Sequence, residues 1–252
     1  MIFLALLLAV GPAHADCKIA PGPVYKHSHN DYTRDHPLKD ALAHDFDSIE
    51  ADVHLKDGQL LVCHDGGDCR KENTLEAMYL APLQKLFRTG NGWVRPYKKQ
   101  LTLLIEFKTD GDSTYRAVLP LLQRYRSMLT VVDKGQVKPG AITVVITGHV
   151  PRSLIQQAQP RLMAIDGGKD DLDSAAPASL VPWVSFDWGD RPGSPEDLAC
   201  RARQHHRLLR FWGGSDDEFQ WAQICKAGVD IVSTNHLTRF DRFLPACRKL
   251  RR

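Results

Sequence analysis

The feature of this sequence that most constrains its fold is a regular alternation of short apolar segments with helix-like segments. Eight strands are predicted, at Val24–His29, Ser48–Leu55 with its continuation Leu60–His64, Leu101–Lys108, Ala141–Gly148, Leu162–Asp166, Trp183–Trp188, Arg207–Trp212 and Val229–Asn235. Helices are predicted at Leu38–His44, Thr74–Arg88, Ser113–Met128, Pro151–Gln157, Pro195–His205, Asp216–Ala227 and Leu237–Leu250. Strands that alternate with helices form a parallel sheet, and eight such units are typical of a closed barrel. We therefore predict an α/β protein with a single domain, a TIM-type (β/α)8 barrel.

The main alternative is an open, doubly wound sheet. Such a sheet commonly carries a Gly-x-Gly-x-x-Gly run between its first strand and its first helix. No such run follows Val24–His29. Neither a low-complexity linker nor an internal repeat divides the sequence, which favours one domain over two.

The first fifteen residues have the pattern of a secretory signal peptide. Residues 2–10 are apolar, Gly11-Pro12 follows them, and Ala13-His14-Ala15 is a small-x-small cleavage pattern. The apolar run is too short to span a bilayer, which takes about 20 residues. We predict a signal peptide over 1–15, a mature barrel over 16–252, and export to the periplasm or the medium.

Six cysteines allow a disulfide framework in an exported protein. They are Cys17, Cys63, Cys69, Cys200, Cys225 and Cys247, and their spacing does not match a zinc site. Their positions in a barrel suggest Cys17 with Cys247 at the adjoining termini, Cys200 with Cys225 on consecutive helices, and Cys63 with Cys69 across one loop. Sequence alone leaves the connectivity open.

The charge balance argues against a nucleic-acid partner. The chain has 33 Lys and Arg against 30 Asp and Glu, a net charge of +3. Nucleic-acid binders concentrate positive charge on one face, and the short basic end of this chain is better explained as a solvated helix terminus. No protein partner is implied, and peripheral contact with a membrane is left open.

Pairs of polar residues lie at or near the ends of three predicted strands. Residues two apart on a strand face the same side, and the carboxyl ends of barrel strands form the active-site rim. The pairs are His27 with His29, Glu50 with Asp52, and Glu106 with Lys108, and His64 ends a further segment. Three converging carboxylates would repel one another unless a cation lay between them, and oxygen ligands select Mg²⁺ or Ca²⁺.

Each pair also has a simpler explanation. An isolated Glu-x-Asp on a strand is usually a solvent-facing alternation, and an isolated histidine near a strand end is usually a hydrogen-bonded structural residue. Parallel strands are buried on both faces, however, so carboxylates on them are costly. The coincidence of three pairs and His64 within 108 residues favours a site.

The motifs resemble those of glycerophosphodiester phosphodiesterases, in the superfamily of barrels like phosphatidylinositol phospholipase C. The matching runs are His29-Asn-Asp-Tyr32, Ser48-Ile-Glu50-Ala-Asp52, Lys56-Asp-Gly58, Cys63-His64-Asp65, Leu104-Ile-Glu106-Phe-Lys108, Val184-Ser-Phe-Asp187, Arg210-Phe-Trp212 and Gly228-Val-Asp-Ile-Val-Ser-Thr234-Asn235. The His-x-His-Asn-Asp-Tyr opening is similar to that of the subgroup that contains the fungal altered-inheritance-of-mitochondria protein.

This resemblance implies a role for each candidate residue. Glu50, Asp52 and Glu106 would hold one divalent cation, Mg²⁺ or Ca²⁺. The catalytic residues would be His29 and His64, as a general acid and base, and Lys108, which would contact the phosphate. The substrate-binding residues would be Asn30, Trp188, Trp212 and Asn235. His27 is a supporting partner or an alternative catalytic histidine, and the motif favours His29.

The implied activity is cleavage of a glycerophosphodiester or phospholipid-type phosphodiester by an exported phosphoric diester hydrolase. Asn30 stands where the family usually has an arginine that helps to hold phosphate, which weakens the argument for glycerophosphodiester specificity. Two alternatives remain. One is a lyase similar to the spider-venom-type phospholipase D enzymes, acting on a sphingo- or lysophospholipid, and the other is a non-catalytic barrel that binds a polyol or phosphate.

Overall fold

Eight parallel strands close into a barrel in the computed structural model, which describes residues 20–251. The strands of this region are β1 Tyr25–Ser28, β2 Ser48–Lys56, β3 Gln59–Val62, β4 Leu101–Phe107, β5 Val131–Asp133, β6 Gln136–Lys138, β7 Ile142–Gly148, β8 Met163–Gly167, β9 Trp183–Asp187, β10 Leu208–Trp212 and β11 Ile231–Thr234. Around the barrel the parallel order is β1, β2, β4, β7, β8, β9, β10 and β11, and the pairing of β11 with β1 closes it. The predicted (β/α)8 barrel is confirmed, and the open doubly wound sheet is excluded.

Helices connect the strands on the outside of the barrel. They are α1 Lys39–Ala43, α2 Ala81–Thr89, α3 Gly111–Arg124, α4 Arg152–Gln157, α5 Pro195–Gln204, α6 Glu218–Lys226 and α7 Leu237–Leu250, with a π-helical turn at Glu76–Leu80 before α2. Side chains that cap backbone N–H groups begin three of them: Asp110 for α3, Ser194 for α5 and Asp217 for α6. Such caps replace hydrogen bonds that the first turn of a helix lacks. None of the helices within residues 20–251 is long and apolar enough to cross a membrane.

Two strands outside the barrel are not predicted from the sequence. β5 and β6 form a small antiparallel hairpin whose turn is Lys134-Gly135, with both residues at positive φ. Strands of three residues are too short to show an apolar alternation, and the turn is the only local indication of the hairpin. β3 pairs antiparallel with the end of β2, as the predicted continuation suggests.

Alternation along the strands divides the buried apolar residues into two clusters. Outward-facing residues such as Leu103 and Ile105 belong to the large cluster between the barrel and the helices. Leu104, between them in sequence, belongs to a small separate cluster with Val145, Ala164, Trp183 and Ile231, which fills the barrel interior. Barrel interiors are packed in such layers and are not open pores.

Two disulfides join described cysteines. Cys63 bonds to Cys69, which confirms the predicted loop pair, and Cys225 bonds to Cys247. The pairs suggested for Cys200 with Cys225 and for Cys17 with Cys247 are therefore wrong. The reason is that α6 packs against α7, through Trp221 and Phe240 among others, so Cys225 faces the last helix. Cys17 and the predicted signal peptide lie outside the described residues.

Candidate active site

The barrel interior changes from apolar to polar along its strands. Two residues beyond Leu104, Val145, Ala164, Trp183 and Ile231 lie Glu106, Thr147, Asp166, Ser185 and Ser233, and on neighbouring strands lie His27, Glu50 and Arg210. Because residues two apart share a face, this polar layer lies above the apolar one, towards the carboxyl ends of the strands. A cleft of about 430 Å³ opens there, lined by His29, Asn30, Glu50, Asp52, His64, Glu106, Lys108, Thr147, Gly148, Arg210 and Trp212.

The three predicted metal ligands converge in this cleft. One carboxylate oxygen from each of Glu50, Asp52 and Glu106 lies within 4.8 Å of the others. Glu50 and Asp52 are buried, and Asp52 Oδ1 has no hydrogen-bond partner. Burial, and then the neighbouring carboxylates of Glu50 and Glu106, raise the pKa of Asp52 to about 6. A buried, unpartnered carboxylate oxygen beside two other carboxylates fits a hard divalent cation.

Lys108 Nζ partly offsets this negative charge. It lies 3.0 Å from Asp52 Oδ2 and 3.0 Å from Glu106 Oε1. Burial lowers the pKa of Lys108, but the hydrogen bond to Glu106 and the charge of Asp52 outweigh that effect, so the pKa is raised. Lys108 is therefore a permanent cation at neutral pH, held between two of the three carboxylates.

Glu50 is kept ionised by two buried neighbours. Burial alone would raise its pKa, but the hydrogen bond from His27 and the charge of Arg210 outweigh burial and hold the pKa well below its usual range. His27 Nε2 lies 2.9 Å and Arg210 Nη1 lies 3.7 Å from Glu50 Oε2. This carboxylate is thus fixed in orientation before any ligand arrives.

The two histidines of the first motif have different environments. His27 is fully buried, and burial lowers its pKa to about 4, so the ring is neutral at pH 7. Its Nε2–H donates to the Glu50 carboxylate, which can only accept, and its Nδ1 accepts from the Ser48 hydroxyl at 2.7 Å. His27 therefore positions Glu50 and has no access to the cleft, whereas His29 lines it.

His29 and His64 both line the cleft but are held differently. His29 is 29% exposed, with Nε2 3.9 Å from Glu50 Oε2 and Nδ1 3.2 Å from Asn235 Oδ1. His64 is 58% exposed and lies in the loop that the Cys63–Cys69 disulfide closes. The backbone oxygen of His64 accepts from His54 Nε2 at 3.2 Å. Both imidazoles can thus reach a ligand in the cleft.

Asn30 and Tyr32 link the first motif to the carboxylates. Asn30 has left-handed backbone angles, φ 47° and ψ 44°, a conformation that asparagine tolerates better than most residues. The Tyr32 hydroxyl donates to Asp52 Oδ2 at 2.8 Å and lies 3.1 Å from Asn30 Oδ1. Tyr32 and Lys108 therefore both contact Oδ2 of Asp52, and Oδ1 is the oxygen that has no partner.

The four predicted substrate-binding residues are not all brought together. Asn30 and Trp212 line the main cleft, and Trp212 is 45% exposed. Asn235 lines a smaller adjoining pocket of about 70 Å³ that also contacts His29 and Trp212. Trp188 lines neither: it packs edge-on against Phe211, at 5.2 Å between ring centroids. The position of Trp188 is thus explained by packing against the barrel.

Sequence reasoning missed several residues of the polar layer. The sequence patterns assign no role to Arg210, Asp166, Ser185 and Thr147, although Arg210 lies two residues before Trp212 and therefore on the same strand face. Tyr32 belongs to the first motif, but its contact with Asp52 does not follow from that motif. The same-face rule, applied to all eight strands and not only to the first three, would have found the layer.

Comparison with known proteins places this chain in a family. The AIM6-like phosphodiesterase domain family matches residues 16–166. An altered inheritance of mitochondria protein 6 homologue from Arthroderma benhamiae is 35% identical over 61% of this chain and 55% of its own length. Proteins of that name from Lachancea thermotolerans and Eremothecium gossypii are 34% and 33% identical over 84% and 86% of this chain, and over 63% and 68% of their own lengths. The chain thus spans between about half and two thirds of the length of these relatives.

Solved structures share the fold at low sequence identity. A glycerophosphodiester phosphodiesterase from Parabacteroides distasonis has a TM-score of 0.57 and 14% identity, with 89% of this chain and 99% of that chain covered. A calcium-dependent phosphoinositol-specific phospholipase C from a Pseudomonas species has a TM-score of 0.58 and 15% identity, with 90% and 93% covered. These likenesses establish the barrel fold.

Proposed function

The chain belongs to the AIM6-like phosphodiesterase domain family, and we propose that it is an exported, metal-dependent phosphodiesterase. Its substrate would be a glycerophosphodiester or a phospholipid-type phosphodiester. The observation that carries the proposal is the convergence of three carboxylates, two histidines and a lysine on one cleft. Fold alone would not support an activity, whereas this set contains the groups that phosphodiester cleavage requires.

The three carboxylates would hold one divalent cation, Mg²⁺ or Ca²⁺. When bound, such an ion polarises a phosphoryl oxygen and offsets the charge that develops on it. The free Oδ1 of Asp52 and the fixed carboxylate of Glu50 support this assignment. His27, Tyr32 and Lys108 would keep the three carboxylates in position, because each donates to at least one of them.

His29 and His64 would transfer the protons. One imidazole would take a proton from the attacking hydroxyl and the other would give a proton to the leaving oxygen, as general base and acid do near neutral pH. His29 Nδ1 donates to Asn235 Oδ1 at 3.2 Å, which leaves Nε2, 3.9 Å from Glu50 Oε2, as the ring nitrogen available to a substrate hydroxyl. We therefore assign the role of base to His29.

Export is supported by the cysteines. Disulfides persist in oxidising compartments and are rare in the cytosol, and both the Cys63–Cys69 and the Cys225–Cys247 bonds lie within the barrel. Reduced and non-reduced mass spectra of protein recovered outside the cytoplasm, together with its N-terminal residue, would test both the bonds and cleavage after Ala15.

Hydrolysis of bis(p-nitrophenyl) phosphate tests the activity. We expect turnover with Mg²⁺ or Ca²⁺, loss of turnover with EDTA, and a fall of about 1000-fold or more in Glu50→Gln, since one ligand charge is removed. Glu218→Gln, an exposed glutamate on α6, is the matched control and should retain full activity. ³¹P NMR on a panel of natural diesters would then name the substrate and distinguish a cyclic from an open product. Wild-type protein that binds phosphate but cleaves none of the panel would favour the non-catalytic barrel.

A further inference from the structure

Arg210 is a buried cation in the wall of the cleft. Its side chain is only 4% exposed, yet it is among the residues that line the cleft. It lies on β10, two residues before Trp212, and reaches across the barrel interior towards β1, β2, β8 and β9. A guanidinium has five N–H donors, and buried donors are normally hydrogen-bonded.

One close hydrogen bond and two longer ion pairs hold Arg210 in place. Its Nε donates to Ser185 Oγ at 2.9 Å, and Ser185 donates in turn to Asp166 Oδ1 at 2.7 Å. The two terminal nitrogens lie 3.7 Å from Glu50 Oε2 and 3.5 Å from Asp166 Oδ2. Both distances exceed those of N–H···O hydrogen bonds, which are about 2.7–3.2 Å. His27 Nε2 lies 3.2 Å away, but its proton is directed to Glu50, so it is not an acceptor for Arg210.

The other Lys or Arg side chain among the cleft-lining residues is differently engaged. Lys108 Nζ is 3.0 Å from both Asp52 and Glu106, within hydrogen-bond distance, whereas the carboxylates near Arg210 lie 3.7 Å and 3.5 Å away. Asn30, which also lines the cleft, is neutral. A phosphate group that binds beside three carboxylates is stabilised by a further cation with free donors. Arg210 alone, among the described lining residues, combines a permanent charge with terminal N–H groups that have no close acceptor.

We propose that Arg210 is a substrate-binding residue that donates hydrogen bonds from its terminal nitrogens to the phosphate group. A planar guanidinium matches two phosphate oxygens at once, which an ammonium group cannot do. Ser185 and Asp166 orient the guanidinium plane. The diester as substrate rests on the proposed function, whereas phosphate recognition by Arg210 requires no catalysis.

Binding of inorganic phosphate tests this role directly. The dissociation constant is measured by calorimetry on the full chain, with Mg²⁺ and again with EDTA. In Arg210→Lys we expect it to rise about tenfold or more, because the charge remains and the two-point contact is lost. Arg207→Lys is the matched control: Arg207 is also buried but donates to the carbonyl oxygens of Leu172, Ser174 and Ala176, away from the cleft. It should bind phosphate as the wild type does.

Ser185→Ala keeps the test decisive if Arg210→Lys does not fold. It removes the acceptor that fixes Arg210 Nε and should weaken phosphate binding by about threefold to tenfold, as the loss of one hydrogen bond would. Unchanged phosphate affinity in the folded variants would overturn the proposal. Arg210-dependent phosphate binding without diester turnover would instead reject the proposed function and leave this inference intact. Diester turnover with phosphate binding independent of Arg210 would do the reverse.

Discussion

The two layers of the barrel interior lie on the same strands but have opposite chemistry. The lower layer, Leu104, Val145, Ala164, Trp183 and Ile231, is entirely apolar. The upper layer lies two residues closer to the carboxyl ends of the strands and includes Glu50, Glu106, Asp166 and Arg210. Burial in the lower layer contributes free energy of folding. Burial in the upper layer costs free energy unless each charge finds a partner.

The unfavourable free energy of burying charged groups is confined to the upper layer. In the upper layer most polar atoms have partners, and the exception among the metal-ligand candidates is Asp52 Oδ1, a buried oxygen of a residue that lies close to Glu50 and Glu106. A site that binds a cation and an anion must hold charges out of water and leave some of them unpaired. We therefore expect changes in the upper layer to affect activity and changes in the lower layer to affect stability.

His29→Ala should show the largest difference between an effect on activity and an effect on stability. Loss of a general acid or base lowers turnover by roughly 10²–10⁴-fold, and we expect about 1000-fold here with a thermal midpoint close to that of the wild type. Steady-state kinetics with calorimetric unfolding would measure both. His205→Ala, on a partly exposed histidine at the end of α5, controls for the effect of removing an imidazole outside the cleft. Turnover within tenfold of the wild type would reject His29 as a catalytic residue.

Leu104→Ala should have the opposite result. Truncating a fully buried leucine leaves a cavity and costs about 2–5 kcal/mol of unfolding free energy. Denaturant unfolding would measure the loss, and turnover at low temperature should stay within about threefold of the wild type, because the upper layer keeps its partners. If turnover fell as far as in His29→Ala, the two layers would not be separable.

The two disulfides extend the comparison to the outside of the barrel. Cys225→Ala with Cys247→Ala removes a bond between residues 22 apart on α6 and α7, and should cost about 3 kcal/mol of stability with little change in turnover. Cys63→Ala with Cys69→Ala removes a shorter loop closure that holds His64, and should cost about 2 kcal/mol and lower turnover about tenfold. Equal turnover in the two double variants would show that the Cys63–Cys69 disulfide is not required to position His64 for activity.

Two tryptophans provide the smallest test. Trp212 lines the cleft and Trp188 does not. Trp212→Phe should raise KM by about threefold, the equivalent of a modest loss of aromatic contact, and Trp188→Phe should leave KM unchanged. A larger rise in KM for Trp188→Phe than for Trp212→Phe would mean that the substrate extends beyond the cleft to the carboxyl end of β9.

The local part of this structure could be predicted from sequence because it depends on local interactions. The α7 bounds, Leu237–Leu250, coincide with the apolar periodicity, and the predicted strand ends lie within two residues of those observed. The convergence of Glu50, Asp52 and Glu106 follows from period-two alternation on strands that are neighbours in a barrel. The hairpin β5–β6 lacked enough residues to show any periodicity.

Contacts between distant segments could not be predicted in this way. Strand alternation gives His27 and His29 the same face, yet the first is buried against Glu50 and the second lines the cleft. Cys225 pairs with Cys247, 22 residues away, because α6 packs on α7. Arg210 acquires its position from partners on β2, β8 and β9, none of which is near it in sequence.

The sequence by itself determined that eight strands alternate with helices, which residues on each strand share a face, and that acidic pairs lie at strand ends. These properties follow from backbone geometry and side-chain polarity over a few residues. Only the tertiary structure decided which histidine is neutral and buried, which carboxylate oxygen lacks a partner, and which cation keeps free donors. Those properties depend on distance and on exclusion of water, and both arise only when the barrel closes.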